Sequence, residues 1–148
     1  MTRGKNHKVI ENLSRLLADS YVLTLKTQNY HWNVTGPHFA ALHAMFEEQY
    51  NALAAANDEI AERIRALGEP APGSFVAFAK LATITEETGA PDARAMVKNL
   101  AADHNTAADT ASALLKAAQE VGDEASADIA IGRIQAHQKT AWMLNASV

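Results

Sequence analysis

The chain has 148 residues, of which 48% are hydrophobic and 20% charged, enough apolar material for one domain with its own core. It contains no cysteine, which excludes disulfides, thiolate metal sites and thiol nucleophiles, so any metal must be held by nitrogen and oxygen. A net charge of −4 argues against general nucleic-acid binding by the folded body.

The first elements in chain order are a basic arm and two long helices. Arg3, Lys5 and Lys8 form a short basic arm over about 1–8, which we expect to be flexible and solvated. The first helix is predicted over about 5–33, where apolar residues recur at helical spacing. Gly36 and Pro37 end it and open the second helix, which closes at residue 68 before two prolines.

A long connection and two more helices follow. The connection spans 69–90 and contains a short helix predicted over 74–81, capped by Ser74. The third helix should cover about 91–122 and the fourth about 123–145. Short links within each pair and one long crossover between the pairs are typical of an all-α, ferritin-like four-helix bundle. We expect a single domain over 1–148, and the lack of a long apolar run or leader pattern predicts a soluble, intracellular protein with no membrane contact.

The predicted second helix has two distinct faces when its residues are placed about 100° apart. Apolar side chains line one side: Leu42, Phe46, Leu53, Ile60, Ile64 and Leu67. Mostly polar side chains line nearly the opposite side: His43, Glu47, Tyr50, Ala54, Asp58 and Glu62. Because the apolar side must face this subunit's own core, the second side is expected to point away from it.

The candidate metal ligands are His31, His43, Asp58 and Glu62. In one continuous helix the fifteen residues from His43 to Asp58 span about 22 Å, so one ion cannot bind both within a subunit. Two copies related by a dyad would bring His43 of one chain beside Asp58 and Glu62 of the other. We therefore predict a site between subunits, with the second helices crossing near Asn51, where the small residues at 54–56 let two backbones approach.

Each group also has a simpler interpretation. Asp58 and Glu62 are four residues apart and could be solvent-facing carboxylates with arginines nearby as ion-pair partners. The two histidines could be ordinary packing or surface residues. Together, however, two imidazoles and two carboxylates form a mixed set suited to iron, manganese or zinc. The chain contains no Glu-x-x-His, which excludes the interior di-iron sites of ferritin, bacterioferritin and ribonucleotide reductase.

The residues around these ligands match a known family. The central motif consists of YHWNVTGPHF at 30–39, LH at 42–43, FE at 46–47, Tyr50, Asp58, IAERI at 60–64 and LG at 67–68. With the short crossover helix and AWML at 141–144, this motif resembles the Dps family, the mini-ferritins or DNA-protection proteins from starved cells, over nearly the whole chain. The resemblance implies a cytoplasmic bacterial shell of twelve subunits that oxidises Fe(II), preferentially with hydrogen peroxide, at dyad sites and stores Fe(III).

The resemblance also implies roles for single residues. His31 and His43 would come from one subunit and Asp58 and Glu62 from its dyad mate. Glu47 stands where many members have aspartate, so its role as a ligand stays open.

Three further residues have two interpretations each. Trp32 would lie near the iron and supply an electron or intercept a radical, or else only pack. Asp123 and Asp128 would line threefold pores that draw cations inward, or they are first-turn acids favoured by the fourth helix dipole. The other histidines have no ligand partner at helical spacing and are expected at the surface or in packing: His7, His38, His104 and His137.

The predicted function is therefore a ferroxidase that stores iron and protects DNA and the cell from oxidative damage, with zinc or manganese as substitute ions. One alternative is a nucleoid-associated, DNA-compacting protein with secondary iron chemistry, although the short arm and a C-terminus without cations predict weak or absent DNA binding. Another is an oligomeric bundle whose carboxylates are inert or bind zinc without turnover.

Overall fold

Five helices and no strand make up the computed structural model, which describes the backbone of residues 3–148 and the side chains from residue 6 onward. The helices are α1 (Arg3–Asn33), α2 (Phe39–Ala66), α3 (Phe75–Leu81), α4 (Ala93–Glu120) and α5 (Glu124–Asn145). This architecture confirms the predicted all-α bundle with a short helix in the crossover. None of the described helices is both long and apolar enough to cross a bilayer.

The helix ends follow from residues that cap or turn the chain. Ser74, Asp92 and Asp123 each accept a bond from the backbone N–H three residues on, at 3.2, 2.8 and 3.0 Å, and so begin α3, α4 and α5. Gly36 has φ +111°, a left-handed conformation that favours glycine and allows the sharp reversal between α1 and α2. Pro37 lies in this reversal and does not open α2, because the first α-type bond runs from Leu42 N to His38 O.

The N-terminal residues are only partly described. Helix α1 already begins at Arg3, within the segment that the sequence predicts as a flexible basic arm. Lys8 is exposed on this helix, while Met1, Thr2 and the side chains of residues 3–5, including those of Arg3 and Lys5, lie outside the described residues.

The bundle core is built from the apolar sides of α1, α2, α4 and α5. On α2 the buried set agrees with the predicted apolar side: Leu42, Phe46, Leu53, Ile60 and Ile64. Leu67 is partly buried against the same core. Helices α1 and α2 pack as one pair, α4 and α5 as another, and α1 contacts α4 between the pairs. The polar side of α2 therefore faces away from the core, as the sequence predicts.

A buried carboxylate fastens the crossover to the bundle. Asp19 of α1 accepts bonds from Thr83 N (2.6 Å), Thr83 Oγ1 (2.7 Å), Ile84 N (3.0 Å) and Thr110 Oγ1 (2.7 Å). Helix α3 is held separately, since the ring of Phe78 stacks on Tyr21 with centroids 4.8 Å apart. The crossover thus has a fixed path along α1.

Candidate metal centre

His31 and His43 face each other where α1 and α2 meet. Their rings stack with centroids 3.8 Å apart and planes 12° from parallel. Each Nδ1 lies 2.7 Å from the backbone oxygen of the other histidine. Because a carbonyl oxygen can only accept, both Nδ1 atoms carry the proton and donate. In the neutral imidazoles this leaves the lone pair on both Nε2 atoms, the form in which imidazole binds a metal.

The parallel rings also limit how many ions the pair can share. A metal-binding lone pair lies in the plane of its imidazole ring, at about 2.0–2.1 Å from the ion. Two nearly parallel planes 3.8 Å apart at the ring centroids do not meet at one such position. The stack therefore favours two ion positions, one for His31 and one for His43, over one ion shared by both rings.

Two aromatic rings extend the histidine stack. Phe39 stacks on His43 with centroids 5.0 Å apart, and Tyr50 presents its edge to His31 at 5.3 Å. The sequence places Tyr50 on the polar side of α2, but Phe39 was not recognised as part of the site. The only available signal was its position four residues before His43, which puts both on one helix face.

Glu47 places a carboxylate beside the stack. Its Oε1 lies 3.7 Å from His31 Nε2, and 55% of its side chain is exposed. An acid group therefore stands beside one free imidazole nitrogen within the same chain. Whether Glu47 binds metal stays a prediction.

Asp58 and Glu62 lie far from the histidines of the same chain. Both are exposed on the polar side of α2, which runs unbroken from Phe39 to Ala66. The fifteen residues between His43 and Asp58 therefore do span about 22 Å. In the part of the chain that the structure describes, no three histidine or carboxylate side chains are grouped to hold one ion.

Comparison with known proteins agrees with this fold. A family model for the ferritin-like domain matches residues 10–148. The DNA protection during starvation protein 2 of Bacillus anthracis is 36% identical over 141 residues, covering 95% of this chain and 97% of the relative. An uncharacterized low temperature-induced protein of Nostoc is 39% identical over 150 residues, covering 100% of this chain and 84% of the relative.

Solved structures point the same way. The Dps protein of Bacillus brevis is 34% identical with a TM-score of 0.95, covering 99% of this chain and 98% of that one. The Dps protein of Vibrio cholerae is 35% identical with a TM-score of 0.94, covering 99% and 92%, and is described as a ferritin-like diiron-carboxylate protein. This chain belongs to the Dps family. The resemblance stated from the sequence is confirmed.

Two other residues that the Dps resemblance singled out lie near the start of α5. Asp123 caps the helix and accepts a bond from Arg63 Nη2 at 3.0 Å. Burial raises the pKa of Asp123, but bonds from Ser126 and the Arg63 charge outweigh it and hold the pKa below its ordinary value. Asp128 is exposed and shares a surface depression of about 340 Å³ with Asp123. Within one chain Asp123 is the N-terminal cap of α5. That Asp123 and Asp128 line a pore stays a prediction.

The Dps chain has a second histidine pair, which the sequence did not connect. His104 of α4 and His137 of α5 are buried, with their Nδ1 atoms 2.8 Å apart. Burial, with a smaller contribution from the Arg133 charge, lowers the pKa of His104 to about 3. Burial, then His104 and Arg133, lowers the pKa of His137 to about 2. Both are packing residues, as predicted, but no sequence signal links positions on different helices.

Proposed function

We propose that this chain is a mini-ferritin that oxidises Fe(II), preferentially with hydrogen peroxide, and stores Fe(III) inside a shell of twelve subunits. Each oxidation site would combine His31 and His43 of one subunit with Asp58 and Glu62 of its dyad mate. The observation that carries this proposal is the pair of reciprocal bonds from Nδ1 of His31 and His43 to each other's backbone oxygen, which leaves both Nε2 atoms without such a bond. Among the described residues no group of three histidine or carboxylate side chains completes a site within one chain.

The surface of α2 supports a dyad at this place. Asn51 and Ala54 are exposed between His43 and Asp58, so the middle of the outer face carries small or uncharged side chains. Two α2 helices crossing there in opposite directions would place each histidine pair beside the other chain's carboxylates. The same geometry repeats by symmetry, so every dyad would hold two equivalent sites.

The donor set suits iron as a substrate. Carboxylates stabilise Fe(III), whereas neutral imidazoles bind Fe(II) without holding it tightly. Two ions per site match the electron balance, because two Fe(II) supply two electrons that, with two protons, reduce one hydrogen peroxide to two waters. No hydroxyl radical is released in that balance. Zinc or manganese would occupy the same nitrogen and oxygen donors.

Protection of DNA would follow from removing iron and peroxide. Relatives in Bacillus anthracis and Porphyromonas gingivalis are named DNA protection during starvation proteins. The net charge of −4 favours protection by this chemistry over tight DNA compaction, the alternative function. We place the protein in the cytoplasm, with residues 1–148 as one domain and at most a weak, salt-sensitive association with the nucleoid.

Complementation across the dyad tests the proposal. One variant carries His31→Ala and His43→Ala, and the other carries Asp58→Ala and Glu62→Ala. Each homo-oligomer should lose most iron oxidation while keeping the native mass of a dodecamer. In coassembled shells half of the dyads are mixed and regain one of their two sites, so activity should recover to roughly a quarter of wild type if sites are independent.

The assay is anaerobic Fe(II) loading followed by hydrogen peroxide or oxygen, with ferric absorbance and protein mass recorded together. Faster oxidation by peroxide supports the proposed oxidant, and equal or slower oxidation rejects it. Coassembled shells that remain inactive although dodecameric would show that the ligands do not meet across the dyad.

A further inference from the structure

Polar side chains of α1 and α4 meet in pairs along the contact between the two helices. The pairs are Asp19–Thr110 at 2.7 Å, Lys26–Asp103 at 2.8 Å and Tyr30–Asn99 at 3.2 Å. Each step along α1, of seven and then four residues, is matched by an equal step back along α4. Because such steps keep residues on one helix face, the three pairs form a single antiparallel ladder.

The end of the crossover lies across this ladder and contacts its pairs in chain order. Backbone groups of residues 83–85 bond to the α1 members of the first two pairs. At the third pair Tyr30 OH donates to Glu87 Oε1 at 2.5 Å. Glu87 Oε2 accepts from Gly89 N at 3.0 Å, so both oxygens of this carboxylate are held. The Tyr30 hydroxyl is therefore fixed from two elements, the crossover and α4.

Tyr30 lies in the last turn of α1 and directly precedes His31. It is fully buried, and its ring packs on Phe46 of α2 with centroids 6.3 Å apart. The residue on the other side of His31, Trp32, is 63% exposed, so Tyr30 is the neighbour that anchors the turn. The same turn carries the His31 backbone oxygen, which accepts from His43 Nδ1 at 2.7 Å. Both contacts of the histidine pair thus depend on the position of this turn.

We propose that Glu87 and Asn99 are positioning residues for the metal centre, which act through the Tyr30 hydroxyl on His31. The inference rests on the proposed function, because that function makes the His31–His43 pair metal ligands. Each ring reaches the other's carbonyl only while the end of α1 is held at its distance from α2. Without the Tyr30 bonds the turn moves more freely, and the imidazoles lose the acceptors that keep the proton on Nδ1. A neutral ring with its proton on Nε2 has no lone pair there for a metal.

Nitrogen NMR of the metal-free, full-length protein with isotopically labelled histidine tests the inference. His31→Gln and His43→Gln assign the signals, and in wild type we expect both rings in the Nδ1–H form. Tyr30→Phe removes only the hydroxyl and should raise the Nε2–H fraction of His31 about tenfold, as expected from losing one hydrogen bond to a charged group. The matched control is Tyr21→Phe, the same change at a tyrosine of α1 that is 39% exposed, and it should leave the tautomers unchanged.

Variants of Glu87 separate positioning from folding, because this side chain is only partly buried. Glu87→Ala removes the acceptor and should act like Tyr30→Phe, whereas Glu87→Gln keeps a hydrogen-bond partner for the hydroxyl and should keep the wild-type tautomers. In the Tyr30→Phe background Glu87→Ala should add no further change, since the two residues act through one bond. Asn99→Ala should give a smaller shift in the same direction, because its bond of 3.2 Å is longer.

Zn(II) affinity, measured by titration calorimetry on the same variants, links the tautomers to the metal centre. Tyr30→Phe and Glu87→Ala should bind Zn(II) about tenfold more weakly at unchanged native mass, the low end for residues that orient a ligand. Folded variants with wild-type tautomers overturn the inference and leave the ferroxidase proposal standing. Tautomers that shift without any loss of Zn(II) affinity overturn it as well. Shifted tautomers with weaker Zn(II) binding support the inference, even in shells that do not oxidise iron.

Discussion

The two histidine pairs of this chain differ in what their Nδ1 atoms contact. In the His31–His43 pair each Nδ1 donates to a backbone carbonyl, so neither Nε2 is used in that contact. In the His104–His137 pair the two Nδ1 atoms bond each other, so one must donate and the other accept. Both buried rings of that second pair are neutral near pH 7, since burial lowers the pKa of each, and Arg133 Nη2 lies 3.5 Å from His137 Nε2.

The difference shows that proximity of two imidazoles does not define a metal site. The two backbone carbonyls place the proton on Nδ1 of both neutral rings, so both Nε2 lone pairs are available. In the Nδ1–Nδ1 pair the accepting ring must carry its proton on Nε2, so only one Nε2 lone pair is left. The surrounding charge points the same way. A carboxylate, Glu47, stands beside His31, whereas a cation stands beside His137. Only the first pair therefore has the surroundings that the proposed Fe(II) site requires.

The largest expected effect concerns iron oxidation. His43→Ala should slow peroxide-dependent oxidation of Fe(II) more than about tenfold, because a metal ligand contributes at least as much as the residues that orient it. His104→Leu, a change of similar extent in the other pair, should leave the rate per folded shell within a factor of about two. A comparable loss in both variants would remove the functional distinction between the pairs.

The free energy of unfolding should depend mainly on the buried His104–His137 pair. His104→Leu leaves His137 Nδ1 buried without its partner and should lower the free energy of unfolding by about 1–3 kcal/mol. Replacing both residues by leucine removes both polar groups and should restore most of that loss. Thermal unfolding of the single and double variants measures the difference. A double variant less stable than either single variant would contradict the assignment of the two rings as hydrogen-bond partners in the core.

The pH dependence of unfolding tests the burial of His104 and His137. The pKa values of His104 and His137 fall from an ordinary 6.5 to about 3 and about 2, so below pH 6.5 the unfolded chain binds protons that the folded chain does not. The free energy of unfolding that the two neutral histidines contribute is complete above pH 6.5. It is lost as the pH falls, by up to about 1.4 kcal/mol per pH unit for each histidine.

Between pH 6.5 and 5 most carboxylates stay ionised, so the slope in that window reports mainly on histidine. The double leucine variant should show a clearly flatter slope than wild type in urea titrations. Equal slopes in wild type and the double variant would mean that the buried histidines are protonated in the folded protein.

The smallest expected effect tests the carboxylate beside the His31–His43 pair. Glu47→Gln keeps the shape of the side chain and removes the charge 3.7 Å from His31 Nε2. Because the group is half exposed, we expect only a two- to fivefold weaker Fe(II) affinity, roughly, by isothermal titration under anaerobic conditions. A loss as large as that of His43→Ala would make Glu47 a direct ligand, and no change would leave it outside the site.

The sequence predicted the features that depend on one helix at a time. The buried side of α2, the Ser74 cap and the separation of His43 from Asp58 all follow from helical periodicity or local capping. The start of α2 was predicted two residues too early, at Pro37, because the reversal that begins at Gly36 extends as far as His38. The reciprocal bonds between His31 and His43 could not be predicted, since they depend on how closely α1 and α2 approach and on which carbonyl each ring contacts.

The same limit applies to contacts between distant segments. Nothing in the sequence around Asn57 shows that its side-chain Nδ2 donates a hydrogen bond to Thr24 Oγ1. The contact between His104 and His137 likewise depends on the packing of α4 on α5. Such features need coordinates, because they depend on the distances between helices and not on the pattern within one.

The hydrogen bonds that Asp19 accepts from the crossover affect how the protein unfolds locally. The amide protons of Thr83 and Ile84 lie outside any helix, yet both are bonded to a buried carboxylate of α1. They can meet solvent only when that carboxylate is uncovered, which requires the crossover and α1 to separate. These two amides should therefore exchange with deuterium as slowly as the interior of α1, and this part of the crossover belongs to the same cooperative unfolding unit as the helix it crosses.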